Sequence, residues 1–383
     1  MLLQYKCSNF HSIKDKIHFS MRKVSDEPSS NKVMRFGNTD IERFAAIYGA
    51  NGSGKTNFIL SINFAKNMVM NSVHFKPSQG INIPKHKLSR KDEPSTFDFQ
   101  FTADDVRYAY GFSVVEGKID EEYLYCFPYG KKDMVFERKG LSVNSGKRHK
   151  RWLYLVEKEL QDNRLFLSCA ANYSMSEESI RAYMFFKREL VVCKMGLDAL
   201  KASANSVALV RDNPQMKAKF LAALDWLGTG IKDVRFEQEK LSKVVYPEFE
   251  SDVSSEEGTG TQRILQAICS LFDILNNNKV VLCDGIENCL HRAIVKQIIE
   301  LFYLLKPESE AQLIFSSHDT SLLSKNIFRK GQIWLTEMKL RHCTDLYSLA
   351  ELKGVRNGEN FERGYIEGKY GAIPLLKNIS LQL

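Results

Sequence analysis

The sequence lacks any long apolar run, and no stretch approaches the roughly 18 residues that a membrane-spanning helix needs. Its amino terminus, Met1–Lys6, also lacks the basic segment followed by an apolar block that marks a secretory signal peptide. These absences argue against an integral membrane protein and against secretion. We therefore expect a cytoplasmic protein with no membrane partner.

Cysteine pairs of the C-x-x-C type are also missing. The cysteines are scattered, and several lie inside apolar patterns, where cysteine serves as a small hydrophobic residue. The pattern predicts neither a disulfide framework nor a zinc framework and fits a reducing cytoplasm. The eight positions are Cys7, Cys126, Cys169, Cys193, Cys269, Cys283, Cys289 and Cys343.

What is present is the composition of a folded protein with a sizeable core. The 383 residues suffice for two or three domains of roughly 100–200 residues each. The net charge of +8 would suit a polyanionic partner, so nucleic acid binding stays open. Because 54 basic residues are spread among 46 acidic ones, the charge alone decides little.

The most informative segment is Gly49–Thr56, which matches the phosphate-binding pattern G-x-x-x-x-G-K-[ST] at every fixed position. The apolar run Phe44–Tyr48 predicts a buried strand before it, and the spacing in Asn57–Ala65 predicts a helix after it. A chance glycine-rich turn is the alternative, and these flanking elements argue against it.

Each residue type in this loop has a physical task. Glycines let backbone N–H groups turn inward around an anion, and the helix N-terminus adds partial positive charge. Lys55 would reach the β- and γ-phosphates of ATP, and the Thr56 hydroxyl would bind Mg²⁺. The predicted nucleotide-binding residues of the loop are Gly49, Asn51, Gly52, Ser53, Gly54, Lys55, Thr56 and Asn57.

The patterns divide the chain into three segments. Residues 1–145 are predicted to form an N-terminal lobe with the phosphate loop and a β-subdomain of alternating aromatic strands. Residues 146–245 have helical spacing and few strand signals, which predicts a helical insertion. Residues 246–383 return to alternating strands and helices. The predicted fold class is therefore α/β, with a mostly parallel sheet.

Two polar segments have a simple interpretation. Ser25–Lys32 is predicted to be a solvated loop. The basic cluster Lys147–Arg151 opens the helical segment, where consecutive basic residues are most often a solvated surface. Contact with nucleic acid is the other interpretation of that cluster.

A nucleotide site also needs a carboxylate for the metal and groups near the γ-phosphate. Asp284 ends an apolar strand, and His318 follows the next strand, at the edge where α/β sheets bind ligands. Thr259, Gly260 and Thr261 precede an apolar helix and would offer a second anion site. The alternatives are a solvent-facing Asp, an ordinary loop His and a plain helix cap.

The order of these motifs resembles the ABC-type ATPase heads of the SMC, RecF and OLD families. It is most similar to the stand-alone AAA-family ATPases of prokaryotic anti-phage and abortive-infection operons, such as the AriA-type ATPases of PARIS systems. Three further segments carry the resemblance, namely Asn9–Asp15, Ile286–His291 and Gly364–Pro374.

The resemblance implies a head-to-head dimer with ATP and Mg²⁺ held between two subunits. Lys55 and Thr56 would bind from one subunit, with Asp284 as the second metal ligand. Thr259, Gly260 and Thr261 would approach the γ-phosphate from the other subunit. His318 would act as the switch histidine.

The sequence departs from these families at two positions. They place Glu after the Asp that ends the strand, as the base that orients the attacking water, and this chain has Gly285 there. Glycine cannot polarise water, so we expect slow hydrolysis or a substitute base, for which Glu287 is the nearest carboxylate. Thr259 stands where the families usually have Ser, which keeps the hydroxyl.

Three functional hypotheses follow. The first is an ATP-binding and ATP-hydrolysing sensor or scaffold subunit of a bacterial anti-phage system, controlling a separate nuclease or toxin through ATP-dependent head assembly. The second is a RecF- or SMC-like DNA-repair ATPase that clamps DNA, which predicts steeply salt-dependent DNA binding. The third is a nucleotide-gated binding module that does not hydrolyse, an option that Gly285 keeps open.

Overall fold

The computed structural model describes residues 1–24, 33–77, 79–194, 196, 202–288, 291–303, 309–356 and 358–374. The predicted loop Ser25–Lys32 lies outside the described residues, as do Cys289 and Leu290 of the resemblance above. Within the described ranges, no helix is both long enough and apolar enough to cross a membrane.

The described chain contains runs of consecutive strands and runs of consecutive helices. The strands are β1 Leu2–Ser8, β2 Ile17–Ser20, β3 Val33–Phe36, β4 Thr39–Glu42, β5 Phe44–Gly49, β6 Ser95–Ala103, β7 Val106–Val115, β8 Lys118–Phe127, β9 Asp133–Lys139, β10 Ser142–Ser145, β11 Leu190–Cys193, β12 Asp233–Glu237, β13 Lys240–Val245, β14 Glu250–Asp252, β15 Val280–Cys283, β16 Gln312–Ser316, β17 Ile333–Lys339 and β18 Cys343–Ser348. The α-helices are α1 Lys55–Asn71, α2 Lys150–Glu157, α3 Phe166–Tyr173, α4 Glu177–Met184, α5 Ala204–Asp212, α6 Pro214–Trp226, α7 Thr259–Asn276, α8 Arg292–Tyr303 and α9 Phe361–Ile366.

The sheet that positions the site has the strand order β11-β15-β16-β5-β17-β18. All its neighbouring strands run parallel except the antiparallel pair β17–β18. Every residue of β5, β15 and β16 is buried, which explains their continuous apolar sequences. Because these three strands are parallel, the segments that follow them leave the same edge of the sheet.

The other large sheet is antiparallel, with the order β10-β9-β8-β7-β6-β1-β2. The predicted alternation is confirmed in β6, where Phe97, Phe99 and Phe101 are buried. The α/β class, the mostly parallel sheet and the antiparallel β-subdomain are therefore confirmed. This is the architecture expected above for an ABC-type ATPase head.

Helix α1 connects the two sheets, because its apolar face packs against both. The Phe58 ring lies 5.9 Å from the ring of Tyr5 on β1 and 5.1 Å from that of Phe19 on β2. Ala45 and Ile47 of β5 belong to the same apolar cluster as α1, while the alternating residues of β5 join a second cluster with α7 and α8. The phosphate-loop strand is thus covered on both faces.

The segment from 146 to 245 is not purely helical. The structure places β11, β12 and β13 within it, and β11 forms the edge of the parallel sheet beside β15. Helix α4 ends at Met184, and the chain passes through a short π-helix into β11. Leu190–Cys193 is only four residues long, too short for its β-branched residues to outweigh the helical pattern before it. The segment boundaries near 145 and 245 stay a prediction.

Candidate nucleotide-binding site

The phosphate loop is the turn between β5 and α1. Gly54 has φ +112°, and a β-carbon there would lie 2.1 Å from Thr344 Oγ1, so the position needs glycine. Gly52 has φ +76° and no heavy atom within 4 Å of the place where a β-carbon would be. The loop therefore combines backbone turns that only glycine adopts readily with an open side that can receive a phosphate.

The loop is braced by residues that the sequence did not single out. Ser53 Oγ lies 2.6 Å from Thr336 Oγ1 on β17, and Thr344 Oγ1 on β18 donates to the Ser53 carbonyl at 2.9 Å. Thr344 Oγ1 also lies 2.6 Å from Ser12 Oγ, which accepts from Asn57 Nδ2 at 2.6 Å. The sequence signal for this brace is Thr336, a polar residue inside the buried part of β17.

Lys55 is buried and bends back across the loop. Its Nζ donates to the carbonyls of Gly49 at 2.8 Å and Ala50 at 3.1 Å. Burial lowers the pKa of Lys55 to about 8, although the nearby carboxylates of Asp284 and Glu287 raise it. Among the described residues, this buried ammonium donates only to carbonyl oxygens and has two carboxylates nearby. Such a group fits a bound polyphosphate, whose charge would replace lost hydration.

The lowered pKa predicts how nucleotide affinity depends on pH. Only the ammonium form of Lys55 attracts phosphate, and its fraction falls about tenfold per pH unit above the pKa. We therefore expect ATP affinity to be level below about pH 7 and to fall roughly 15-fold between pH 8 and 9.5, measured by titration with a fluorescent ATP analogue. Lys55→Arg, which stays charged in this range, should flatten the profile. An equally steep fall in that variant would contradict the assignment.

Asp284 follows β15 and is held by the next strand. Ser316 Oγ on β16 donates to Asp284 Oδ1 at 2.6 Å and accepts from the Gly285 N–H at 2.8 Å. This contact orients the carboxylate at the edge where the phosphate loop leaves β5. Hard oxygen ligands of this kind are those that Mg²⁺ prefers, so Asp284 and the exposed Thr56 hydroxyl fit the predicted metal role.

Glu287 and His318 meet at the same edge. The His318 N–H donates to Glu287 Oε1 at 2.6 Å, and Glu287 Oε2 is buried without a hydrogen-bond partner among the described residues. The pKa of the His318 imidazole is lowered by burial and by Lys55, with Glu287 and Asp284 acting in the opposite direction. Four predicted residues, Lys55, Asp284, Glu287 and His318, are therefore within electrostatic reach of one another.

The backbone explains why Gly285 is tolerated. Its φ is +68°, and a β-carbon would lie 2.3 Å from Asn288 Nδ2. The chain turns sharply here and carries the next carboxylate, that of Glu287, to the N–H of His318. In this structure a longer side chain at position 285 conflicts with the turn that places Glu287.

This geometry predicts that a β-carbon at position 285 destabilises the folded protein. Gly285→Ala should lower the free energy of unfolding by about 1–2 kcal/mol, the usual penalty for a β-carbon in the left-handed region. Urea unfolding at constant m-value would measure it. Gly80→Ala is the matched control, because Gly80 is exposed with nothing within 4 Å of an added β-carbon. Equal stability of both variants would contradict the strain argument.

The predicted second anion site lies at the start of α7. Thr259, Gly260 and Thr261 form the first turn of this helix, and Thr259 and Gly260 are exposed. The N-cap, Gly258, provides no side-chain cap. The first N–H groups of α7 therefore receive no side-chain hydrogen bond from the N-cap residue. Their predicted approach to a γ-phosphate bound by another subunit remains a prediction.

A basic cavity of about 560 Å³ adjoins the phosphate loop beside Asn57. Its volume lies within the roughly 300–1,000 Å³ typical of small-molecule pockets. His11 and Ser12 from the turn after β1 line one part of it, and Arg341 and His342 from the turn between β17 and β18 line another. The cavity thus continues the phosphate site toward the antiparallel sheet.

Comparison with known protein families finds one whose sequence model matches this chain. Residues 44–170 and 180–324, more than two thirds of the chain, match the family described as "AAA domain, putative AbiEii toxin, Type IV TA system". The matched ranges include Lys55, Asp284, Glu287 and His318. No curated protein matches the chain.

Among solved structures, the chain is similar to SMC head domains. A head bound to the C-terminal winged-helix domain of ScpA has 16% identity, covers 91% of this chain and 97% of its own, and gives a TM-score of 0.48. The head domain from Thermotoga maritima has 12% identity, with 91% and 98% coverage and a TM-score of 0.46. A head with an extended coiled coil bound to ScpA, derived from Pyrococcus furiosus, has 14% identity, with 91% and 96% coverage and a TM-score of 0.44.

Proposed function

Since this chain belongs to the AAA-domain family of the AbiEii, type IV toxin–antitoxin description, we propose that it is an ATP-hydrolysing sensor or scaffold subunit of an anti-phage defence system. It would control a separate effector, a nuclease or a toxin, through ATP-dependent assembly of its heads. This proposal places the protein in the cytoplasm, with ATP and Mg²⁺ as its cofactors.

One observation carries the nucleotide part of the proposal. Lys55, Asp284 and His318 follow three parallel strands, β5, β15 and β16, and the Asp284 carboxylate acts to raise the pKa of both Lys55 and His318. Structural ion-pair networks also perturb pKa values, but here the buried Glu287 Oε2 has no partner among the described residues. A site with an uncompensated buried oxygen fits a ligand better than a closed network does.

The residues divide the work of hydrolysis between them. Lys55 would neutralise the β- and γ-phosphates, and Thr56 and Asp284 would hold Mg²⁺. The metal ion, when bound, neutralises charge that develops on the phosphate oxygens. Glu287 would accept a hydrogen bond from the attacking water through Oε2, while its Oε1 stays fixed by the His318 N–H. The nucleobase and the ribose of ATP would lie in the basic cavity beside Asn57.

The position of the α7 N-terminus supports an assembly of two heads. Thr259 and Gly260 are exposed, with a helix N-terminus and its partial positive charge behind them. An exposed anion site of this kind is available to a phosphate bound by a second copy. We therefore propose that ATP joins two heads and that hydrolysis separates them. The resemblance to AriA-type ATPases implies the same head-to-head assembly.

The mass of the purified protein in solution tests this assembly. With ATP and Mg²⁺ we expect the mass measured by light scattering to double, and without nucleotide we expect a single chain or a smaller assembly. An unchanged mass, with ATP binding shown in the same sample, would contradict assembly through ATP.

Co-expression with the proteins encoded beside this chain would test the effector, which should co-purify in one nucleotide state only. DNA binding whose affinity falls steeply with salt, without such a partner, would instead support the DNA-clamp alternative.

A further inference from the structure

A second cluster of chemically reactive side chains lies away from the nucleotide site. Cys126 near the end of β8 and Asp133 at the start of β9 are direct cross-strand partners. His149 is the N-cap of α2 and is held there by its N–H, which donates to the Gly146 carbonyl at 2.8 Å. One ligand atom from each of the three residues lies within 4.8 Å of the other two.

The His149 imidazole faces this cluster and contacts Asp133 without a hydrogen bond. His149 Nε2 lies 3.5 Å from Asp133 Oδ2, is buried, and has no hydrogen-bond partner among the described residues. Only 12% of the His149 side chain is exposed, whereas its neighbours Arg148 and Lys150 are exposed. His149 is thus the inward-facing member of the basic cluster Lys147–Arg151.

We propose that Cys126, Asp133 and His149 form a binding site for a zinc-class divalent cation. Thiolate, imidazole and carboxylate are the three ligand types that Zn²⁺ takes in proteins, at bond lengths of about 2.0–2.3 Å. Ligand atoms of a tetrahedral site with those bonds lie roughly 3.3–3.8 Å apart, so the cluster needs only a small contraction. Three protein ligands leave the fourth position for water or for a ligand from a partner.

A cation that binds the Cys126 sulfur must displace the thiol proton, and burial makes that proton harder to remove. Burial raises the pKa of the Cys126 thiol to about 12, with Glu178 and Asp133 adding to the effect and Arg148 opposing it. The metal binds the thiolate, so its binding releases that proton. Arg148 Nη1 lies 3.7 Å from Asp133 Oδ2, and the Arg148 side chain, which is 80% exposed, can turn toward solvent when the cation binds.

The position of the site determines which parts of the fold a bound cation would connect. Two ligands belong to the antiparallel sheet, and the third belongs to the first helix after it. A bound cation would therefore fix α2 to the β8–β9 hairpin. The sequence predicted no zinc framework because its usual signal is a closely spaced cysteine pair, and here each ligand comes from a different element.

Metal titration of the full chain tests the site without an activity assay. The protein is freed of metal with a chelator and titrated, without nucleotide, with Zn²⁺ against a chromophoric competitor. We expect one equivalent in the wild type, and affinity reduced at least about tenfold in Cys126→Ala and in His149→Gln. Co²⁺ in place of Zn²⁺ should give a thiolate-to-metal absorption band that Cys126→Ala lacks.

Matched controls separate this site from unspecific binding. Cys169→Ala removes another buried thiol and His74→Gln another imidazole, and both should bind as the wild type does. No binding by the wild type, or unchanged affinity in both ligand variants, would overturn the proposal. If Cys126→Ala does not fold, His149→Gln and Asp133→Asn decide, because each changes a partly exposed side chain.

Discussion

Lys55→Ala is expected to abolish measurable ATP turnover, with a fall of at least about 100-fold. Removal of one preorganised charge from a transition state typically costs 10²–10³ in kcat. The same change should weaken ATP binding about tenfold or more, because hydrogen bonds to charged groups contribute about 1.5–3 kcal/mol. Phosphate release and binding of a fluorescent ATP analogue measure the two effects.

Lys66→Ala is the matched control for this variant. Lys66 lies on the same helix, its ammonium donates to the Leu190 carbonyl, and burial also lowers its pKa. Its loss should change stability and leave turnover within about twofold of the wild type. Turnover that survives in Lys55→Ala would mean that the measured hydrolysis comes from elsewhere than the phosphate loop.

Glu287→Gln is expected to lower turnover by about 100-fold or more while ATP stays bound. A general base contributes typically 10²–10⁴-fold, and an amide cannot take the proton from water. The amide oxygen can still accept the His318 N–H, so the local structure should be kept. We expect this variant to hold the ATP-bound assembly, visible as a doubled mass that persists after the wild type has separated.

Glu300→Gln, a change to a partly exposed glutamate on α8, is the control and should hydrolyse as the wild type does. If Glu287→Gln hydrolyses ATP at the normal rate, another group activates water. If neither the wild type nor the variant hydrolyses ATP but both bind it, the non-hydrolysing binding module is the better description.

The sequence predicted the parts of this site that have a fixed local pattern. Gly49–Thr56 is recognisable because a phosphate-binding turn needs glycine and lysine at set positions, and α1 and β5 follow from the apolar spacing beside it. Asp284 and His318 were found because buried parallel strands are long apolar runs whose ends are easy to locate.

The rest of the site depends on contacts between distant residues and could not be predicted. The buried oxygen of Glu287 exists because the chain turns at Gly285 and meets His318. The brace from Thr336 and Thr344 to Ser53 joins residues that no local pattern connects. The strand β11 was missed because its partner, β15, lies about 90 residues later in the chain.

That brace has a consequence for the order in which the protein matures on the ribosome. The phosphate-binding motif is synthesised early, yet the hydroxyls that hold Ser53 belong to Thr336 and Thr344, almost 300 residues later. Strand β17, which pairs with β5 beside the loop, also arrives late. A nascent chain therefore carries the complete motif long before it has the finished loop, and we expect it to hold nucleotide only after β17 and β18 have been synthesised.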